Sequence, residues 1–263
     1  MKTTTDVLLI CLALMAVLVA PAAAAVPPDY KAWGELLSKY YDPAKGMNYK
    51  GLKDHDKKAI DDLRHQMATV DVQALSRPDQ FAYWVNLYNI NVVGLVVDHY
   101  PIASIKDLST DPFIKLNVFK KDSVQTKNGA MSLNDVENDK IREGFKDPRI
   151  HFAINCAAMS CPPIRTEPYE GAKIGEQLDD QVRKFLDGSH GARIEKNGVQ
   201  VVVHITKIMD WFNADFQKWG GGQVAFLKRF VSNDKRKQMD AAGNQIDVKF
   251  DDYDWKLNDA SGK

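Results

Sequence analysis

Apolar residues recur with helical spacing through the first part of the chain. Positions 32–40 place apolar residues three and four apart, and positions 54–70 do the same beside a charged face, so each segment predicts an amphipathic helix. Arg77-Pro78-Asp79 begins a more apolar helix, which we expect from about Asp79 to Tyr100, where Pro101 stops it. Because this helix has few polar faces, we expect it to be the central buried helix.

The second part of the chain changes to alternating patterns. Lys127-Asn128-Gly129 and Lys196-Asn197-Gly198 each separate two strand-like runs, which is the pattern of a hairpin. The predicted strands are 118–126, 150–154, 193–196, 199–205 and 246–250. Ser132 and Asp135 form a capping box for a helix to about Phe145, and further helices are predicted at 171–186, 211–218 and 223–231.

Helices first, then hairpins mixed with helices, predict an α+β fold. We expect N-terminal helices and a central buried helix packed on a mostly antiparallel sheet of hairpins. Such an order is compatible with a papain-like or transglutaminase-like arrangement.

The first 25 residues have the layout of a secretory signal peptide. Lys2 precedes an apolar run at 7–20, which is short for a membrane span, and alanines at 22–25 offer cleavage sites. Cys11 follows Ile10, which is too large to precede a lipidated cysteine. We therefore expect a periplasmic or secreted single domain, residues 26–263, with no membrane span after leader removal; a retained N-terminal anchor is the alternative.

The charge balance of the chain bears on which class of partner it binds. Lysine plus arginine and aspartate plus glutamate number 35 each, so no global field favours nucleic acid. A small-molecule or peptide-like ligand is the expected partner, and the sequence does not indicate the oligomeric state. No cofactor is predicted.

The segment from His151 to Cys161 carries the residues most suited to chemistry. A thiolate nucleophile needs a base within hydrogen-bond reach, and His151 precedes Cys156 and Cys161 by five and ten positions. Export equally favours a Cys156–Cys161 disulfide, and inert buried thiols are a third option. We expect no metal, because one histidine and two cysteines lack the usual paired ligand spacing.

Polar residues elsewhere could complete such a site. Asn86 and Asn89 share a face of the apolar helix, where buried amides need hydrogen-bond partners, so they either tie the helix to backbone or line a cleft. Glu137 lies in the first turns of the capped helix, where the helix dipole alone favours it. Tyr88 and Arg165 are candidate substrate-binding residues.

At these positions the sequence resembles the family known as domain of unknown function 547. The matching stretches are Phe81–Asn89, Ser132–Glu137, Asp147–Cys156, Ser160–Arg165 and Tyr253–Asn258. They lie in the family's order between about residues 75 and 258, with Ala157 and Asn138 standing where the family usually has glycine and histidine.

The resemblance implies that the asparagine pair, Glu137, His151 and both cysteines are the family's motif residues. It implies no reaction, since the family has no established activity. Its plant members are fused to coiled-coil regions and are expected inside cells, so the resemblance implies that a disulfide is not the only reason for the two cysteines.

The sequence therefore predicts a thiol-dependent hydrolase or transferase acting on amide bonds. Cys156 or Cys161 would be the nucleophile and His151 the base, and Asn86, Asn89 or Glu137 would orient the base or donate to an oxyanion. Arg165 would bind a substrate carboxylate. The alternative is a noncatalytic ligand-binding domain whose loop is closed by a disulfide.

Overall fold

The structure is a computed structural model that describes residues 25–109, 118–198 and 200–261. The predicted signal peptide, apart from Ala25, lies outside these residues. Within them, none of the helices has both the length and the apolar character that a membrane span requires.

Helices and short strands alternate along the chain. The helices are α1 (Lys31–Tyr40), α2 (Tyr49–Ala68), α3 (Arg77–His99), α4 (Leu133–Asp135), a π-helix (Val136–Arg142), α5 (Glu143–Phe145), α6 (Ile174–Asp187), α7 (Ile208–Trp211), α8 (Asn213–Gly220), α9 (Gly222–Phe230) and α10 (Asn233–Ala241). The strands are β1 (Tyr41–Asp42), β2 (Gly46–Met47), β3 (Asp122–Thr126), β4 (Gly129–Ser132), β5 (Arg193–Asn197), β6 (Gln200–Ile205) and β7 (Ile246–Phe250).

Helix α3 is the buried centre of the first half, as its apolar sequence predicts. Every residue from Phe81 to Val97 is buried. The Ser76 hydroxyl accepts a hydrogen bond from the Asp79 amide at the N-terminus, with a proline in the first turn. Helix α3 packs mainly against α2, with further contacts to the short 3₁₀ helix Gly171–Lys173 and to the π-helix. Among the described residues its main neighbours are therefore helices, and the expected packing on a sheet is not observed.

The expected α+β class is confirmed, with sheets that are small. The two predicted hairpins form, β3 with β4 and β5 with β6. Strand β7 joins β6 in parallel, so the three-stranded sheet is mixed. Residues Val118–Lys120 form a short 3₁₀ helix, and the strand expected at 118–126 therefore begins only at Asp122.

Two apolar cores meet at the segment that contains His151. Ile150 and Ile154 belong to the core around α3, whereas Phe152 belongs to the core formed by α6, α8, α9 and β6. Phe152 stacks on Phe226 with ring centroids 5.7 Å apart. The first core therefore meets the second at the predicted functional segment.

The residues after β7 return across both cysteines. The Asn258 amide donates to the Ala157 carbonyl at 3.1 Å, and the Met159 amide donates to the Lys256 carbonyl at 2.8 Å. The buried Asn258 side chain accepts from the Tyr49 hydroxyl at 2.8 Å. This closing segment, residues 251–261, fixes the cysteine loop against the first core.

Candidate functional site

A cavity of about 300 Å³ gathers most of the predicted site residues. Its lining includes His151, Cys156, Cys161, Glu137 and Tyr88, which come from three separate stretches of the chain. The remaining lining residues are Phe119, Asn134, Asn138, Ile154, Ile208, Trp211, Phe212, Tyr253 and Trp255. The fold thus brings one histidine, two thiols and one carboxylic acid to the same space.

His151 is held by a 3₁₀ helix, Pro148–Phe152, and the strand expected at 150–154 is wrong. The Asp147 carboxylate caps this helix by accepting from the Arg149 amide at 3.0 Å, and Pro148 suits its first turn. Because this Asp-Pro signal for a helix start is stronger than the short apolar alternation after it, the segment forms a 3₁₀ helix instead of a strand. This helix turns His151 towards α8.

Asp215 of α8 orients the His151 ring. The imidazole Nε2 donates to the Asp215 carboxylate at 2.8 Å, and Phe212 stacks on the ring with centroids 4.0 Å apart. Arg142 donates to the same carboxylate at 2.7 Å. Nδ1 is buried and has no hydrogen-bond partner among the described residues, so it is the nitrogen left for proton exchange.

Burial and charge set the protonation of this pair. Burial lowers the pKa of His151 and outweighs the opposing effect of Asp215, so the imidazole is neutral at neutral pH. Burial alone would raise the pKa of Asp215, but the hydrogen bonds from His151 and Arg142 hold it well below its ordinary value. His151 is therefore a neutral base whose ring is held by the Asp215 carboxylate.

The two cysteines are free, and their loop brings them together. The Cys156 amide donates to Cys161 Sγ at 3.0 Å. Asn155 anchors the loop: its side chain donates to the Pro162 carbonyl at 2.7 Å and accepts from the Ala157 amide at 2.8 Å. Ala157 has φ +61°, the left-handed region that favours glycine, which explains the glycine usual there in the family that the sequence resembles.

The thiols differ in acidity. The hydrogen bond with the Cys161 thiol lowers the pKa of Cys156, the Tyr253 hydroxyl 3.1 Å from its sulfur adds to this, and both outweigh burial. Burial raises the pKa of Cys161 well above its ordinary value. Cys156 is therefore the sulfur that more readily becomes a thiolate, the reactive form.

Glu137 enters the cavity from the π-helix. Burial raises its pKa to about 7 against the opposing charge of Arg142, and its nearest hydrogen-bond partner is the Tyr88 hydroxyl at 3.5 Å. The Asn138 side chain accepts from Arg142, four residues further along the same π-helix. Helical irregularities of this kind are frequent at functional sites.

Comparison with known families fits this geometry. Residues 72–186 match the family model described as Protein of unknown function, DUF547. This part of the chain is similar to a DUF547 domain. No curated protein and no solved structure matches the chain. The matched residues include His151, Glu137 and both cysteines, whereas Asp215 and Tyr253 lie beyond them.

Within the part that matches DUF547, the asparagine pair ties backbone together. The Asn86 side chain donates to the Tyr169 carbonyl at 2.8 Å and accepts from the Tyr169 amide at 3.0 Å. Asn89 does the same between the Ala153 carbonyl and the Asn155 amide, each at 2.9 Å. Neither residue lines the cavity, and the amide groups of both are engaged by the backbone.

Arg165 lies apart from the thiol cavity. Its guanidinium donates to Asp180 at 2.6 Å and to Glu167 at 2.7 Å. It lines a second cavity, of about 620 Å³, which Cys161 also borders. The structure therefore does not place Arg165 beside Cys156, and its charge is neutralised by two carboxylates.

Sequence reasoning missed the residues that complete the site from outside the DUF547 match. Asp215 lies 64 positions after His151, and Tyr253 lies 97 positions after Cys156. Tyr253 stood in a stretch that resembles the family, but Asp215 gave no local signal. Across the part of the chain that the structure describes, no three His, Cys, Asp or Glu side chains come together to hold a metal.

Proposed function

We propose that this protein is a cysteine-dependent acyl hydrolase or transferase acting on amide bonds, with Cys156 as nucleophile. One observation carries the proposal: a single cavity holds the acidified Cys156 thiol together with His151, whose ring is fixed by Asp215. A nucleophile, a base and a group that orients the base are the elements of this chemistry.

The proposed reaction proceeds through a thioester. His151 Nδ1 takes the proton of the Cys156 thiol as the sulfur attacks the carbonyl carbon and the C–S bond forms. The C–N bond then breaks as His151 returns the proton to the leaving amine. Water or a second amine attacks the thioester carbonyl, gives a proton to His151, and releases the thiolate, which regains that proton. The logic is similar to that of papain-like and transglutaminase-like enzymes.

Acyl transfer to Cys156 is tested with p-nitrophenyl acetate. We expect a burst of nitrophenolate, one acetyl group on Cys156 by peptide mass mapping, and loss of both in Cys156→Ser. Cys161→Ala is the matched control and should keep the acetylation site. A protein that releases no nitrophenolate above the Cys156→Ser background contradicts the proposal.

Thiol titration separates this function from the alternative binding domain. Iodoacetamide should alkylate Cys156 before Cys161 at neutral pH, by roughly tenfold for each unit that separates their pKa values. Sulfurs that react only after reduction would instead support a noncatalytic domain closed by a Cys156–Cys161 disulfide.

We also propose that the protein acts in the periplasm or outside the cell, because residues 1–25 have the pattern of a signal peptide. N-terminal sequencing of the protein from a periplasmic fraction should begin near residue 26. Recovery of the full-length chain in the cytoplasm would contradict this localisation.

A further inference from the structure

Aromatic rings form one wall of the thiol cavity. Trp211, Tyr253 and Trp255 all line it, with ring centroids between 4.7 and 6.0 Å apart. Trp211 is 48% exposed, unusual for so large an apolar side chain. Since Tyr253 also contacts the Cys156 sulfur, a group lying on this wall is beside the reacting thiol.

One ring of this aromatic wall contacts a cation within the protein itself. The Lys106 ammonium lies 3.8 Å from the centroid of the Trp255 ring. Ring faces attract ammonium groups through their negative quadrupole. This contact shows, within the same molecule, which charge the aromatic wall accepts.

Charge in the cavity points the same way. Among the described residues that line it, Glu137 is the only carboxylic acid, and none is a lysine or an arginine. The charged groups that act on Glu137 are Arg142 of the same π-helix and Asp215 of α8, and these two pair with each other. Glu137 itself has no ion-pair partner among these residues, so an ammonium ion is the partner its carboxylate lacks.

We propose that the cavity selects substrates whose acyl part carries an ammonium group, which pairs with Glu137 while the adjacent carbon skeleton lies on the Trp211–Tyr253 rings. The inference rests on the proposed acyl transfer only for the identity of the reacting carbonyl. A neutral acyl group leaves Glu137 unpaired, and an anionic one is repelled by it. Glu137 is thereby assigned to substrate selection.

Such a substrate would also activate its own nucleophile. The hydrogen bond with Cys161 lowers the pKa of Cys156, and the charge of Glu137 opposes that lowering, which means that the two groups act on each other across the cavity. An ammonium group at Glu137 cancels that charge, so the thiolate becomes easier to form as the substrate binds.

Three p-nitrophenyl esters of matched size test the selection. Alanine, propionic acid and malonic acid supply a cationic, a neutral and an anionic acyl group. After subtraction of the Cys156→Ser background, kcat/KM should favour the alanine ester over the propionic ester on the order of tenfold. Glu137→Gln should remove most of this preference, and Glu143→Gln, an exposed glutamate close by that does not line the cavity, should keep it.

A binding measurement keeps this inference separate from the chemistry. In Cys156→Ser, alaninamide should change tryptophan fluorescence at lower concentration than propionamide, and Glu137→Gln or Trp211→Ala should reduce the difference. If cationic binding is preferred but no acylation occurs, the selection stands and the proposed reaction fails. If acylation occurs without preference for the cation, or if the preference survives in Glu137→Gln, the selection is overturned.

Discussion

Two carboxylic acids near the thiol cavity have pKa values moved in opposite directions. Glu137 is half-buried and has no ion-pair partner among the described residues, and burial raises its pKa to about 7. Asp215 has His151 and Arg142 as donors, and its pKa is lowered. Environments that separate the pKa values of neighbouring acids allow them different roles near neutral pH.

The raised pKa of Glu137 makes a prediction about stability. The folded state holds this proton where the unfolded chain has lost it, so wild-type stability falls as the pH rises from about 4.5 to about 7. Glu137→Gln has no proton to lose and should be more stable than wild type above pH 7, by at most about 3 kcal/mol. Urea unfolding at pH 5 and pH 8 measures it. An equal effect of the substitution at both pH values would argue against the raised pKa.

Asp215 gives a second prediction, with the opposite pH dependence. Its lowered pKa contributes stability that is fully present above the ordinary value of 3.8, and this contribution is lost as the pH falls from that value towards the lower pKa of the folded state. Asp215→Asn should therefore cost about 1–3 kcal/mol at pH 7 and less in acid. It should also slow nitrophenolate release while leaving iodoacetamide access to Cys156 intact. Unchanged release would mean that Asp215 does not position His151.

At the scale of elements, Asn86 and Asn89 fasten α3 to different neighbours. Asn89 holds the backbone that carries His151 and Cys156, whereas Asn86 holds Tyr169. Asn89 thus helps to define where the cysteine loop lies relative to the central helix, whereas Asn86 does the same for the segment at Tyr169. These asparagines of α3 therefore affect the site by fixing the backbone around it, and not by contacting the cavity.

The asparagine pair offers matched variants. Asn89→Ala and Asn86→Ala each leave a buried carbonyl and a buried amide unpaired, so each should lower the free energy of unfolding by about 2–4 kcal/mol. Only Asn89→Ala should also change the rate and pH profile of Cys156 alkylation. Equal alkylation changes in both variants would show that the effect comes from lost stability alone.

The sequence predicted elements where local signals agreed with one another. The hairpin at Asn128-Gly129 and the start of α3 at Arg77-Pro78-Asp79 follow from residues a few positions apart. The strand at 150–154 failed because an aspartate-proline helix start outweighed a short alternation. The Asp215 contact depends on packing between two cores, which no short stretch of sequence encodes, whereas the thiols and His151 were recognisable because they lie close together in the chain.

At the scale of the whole molecule, the site lies where the two apolar cores meet. His151 is flanked by Ile150 of the first core and Phe152 of the second. Asp215 comes from the second core's α8, and Glu137 comes from the π-helix packed on α3. The relative position of the cores therefore sets the distance between the base and its orienting carboxylate.

This arrangement predicts that both cores unfold together as one domain. Phe226→Ala, in the second core and away from the cavity lining, should cost about 3–5 kcal/mol. Hydrogen exchange followed by mass spectrometry should then show the same loss of protection in α3 as in α9. Loss confined to α9 would show that the chain contains two domains that unfold separately.

The closing segment has a consequence for synthesis on the ribosome. Tyr253 is added 97 residues after Cys156, so at typical elongation rates the two are separated by roughly 5–20 s. During that interval the nascent chain carries both cysteines without the Tyr253 hydroxyl that contacts the Cys156 sulfur, and for part of it without Asp215 as well. The Cys156 thiol of a growing chain therefore stays inactive until Asp215 and Tyr253 have been synthesised.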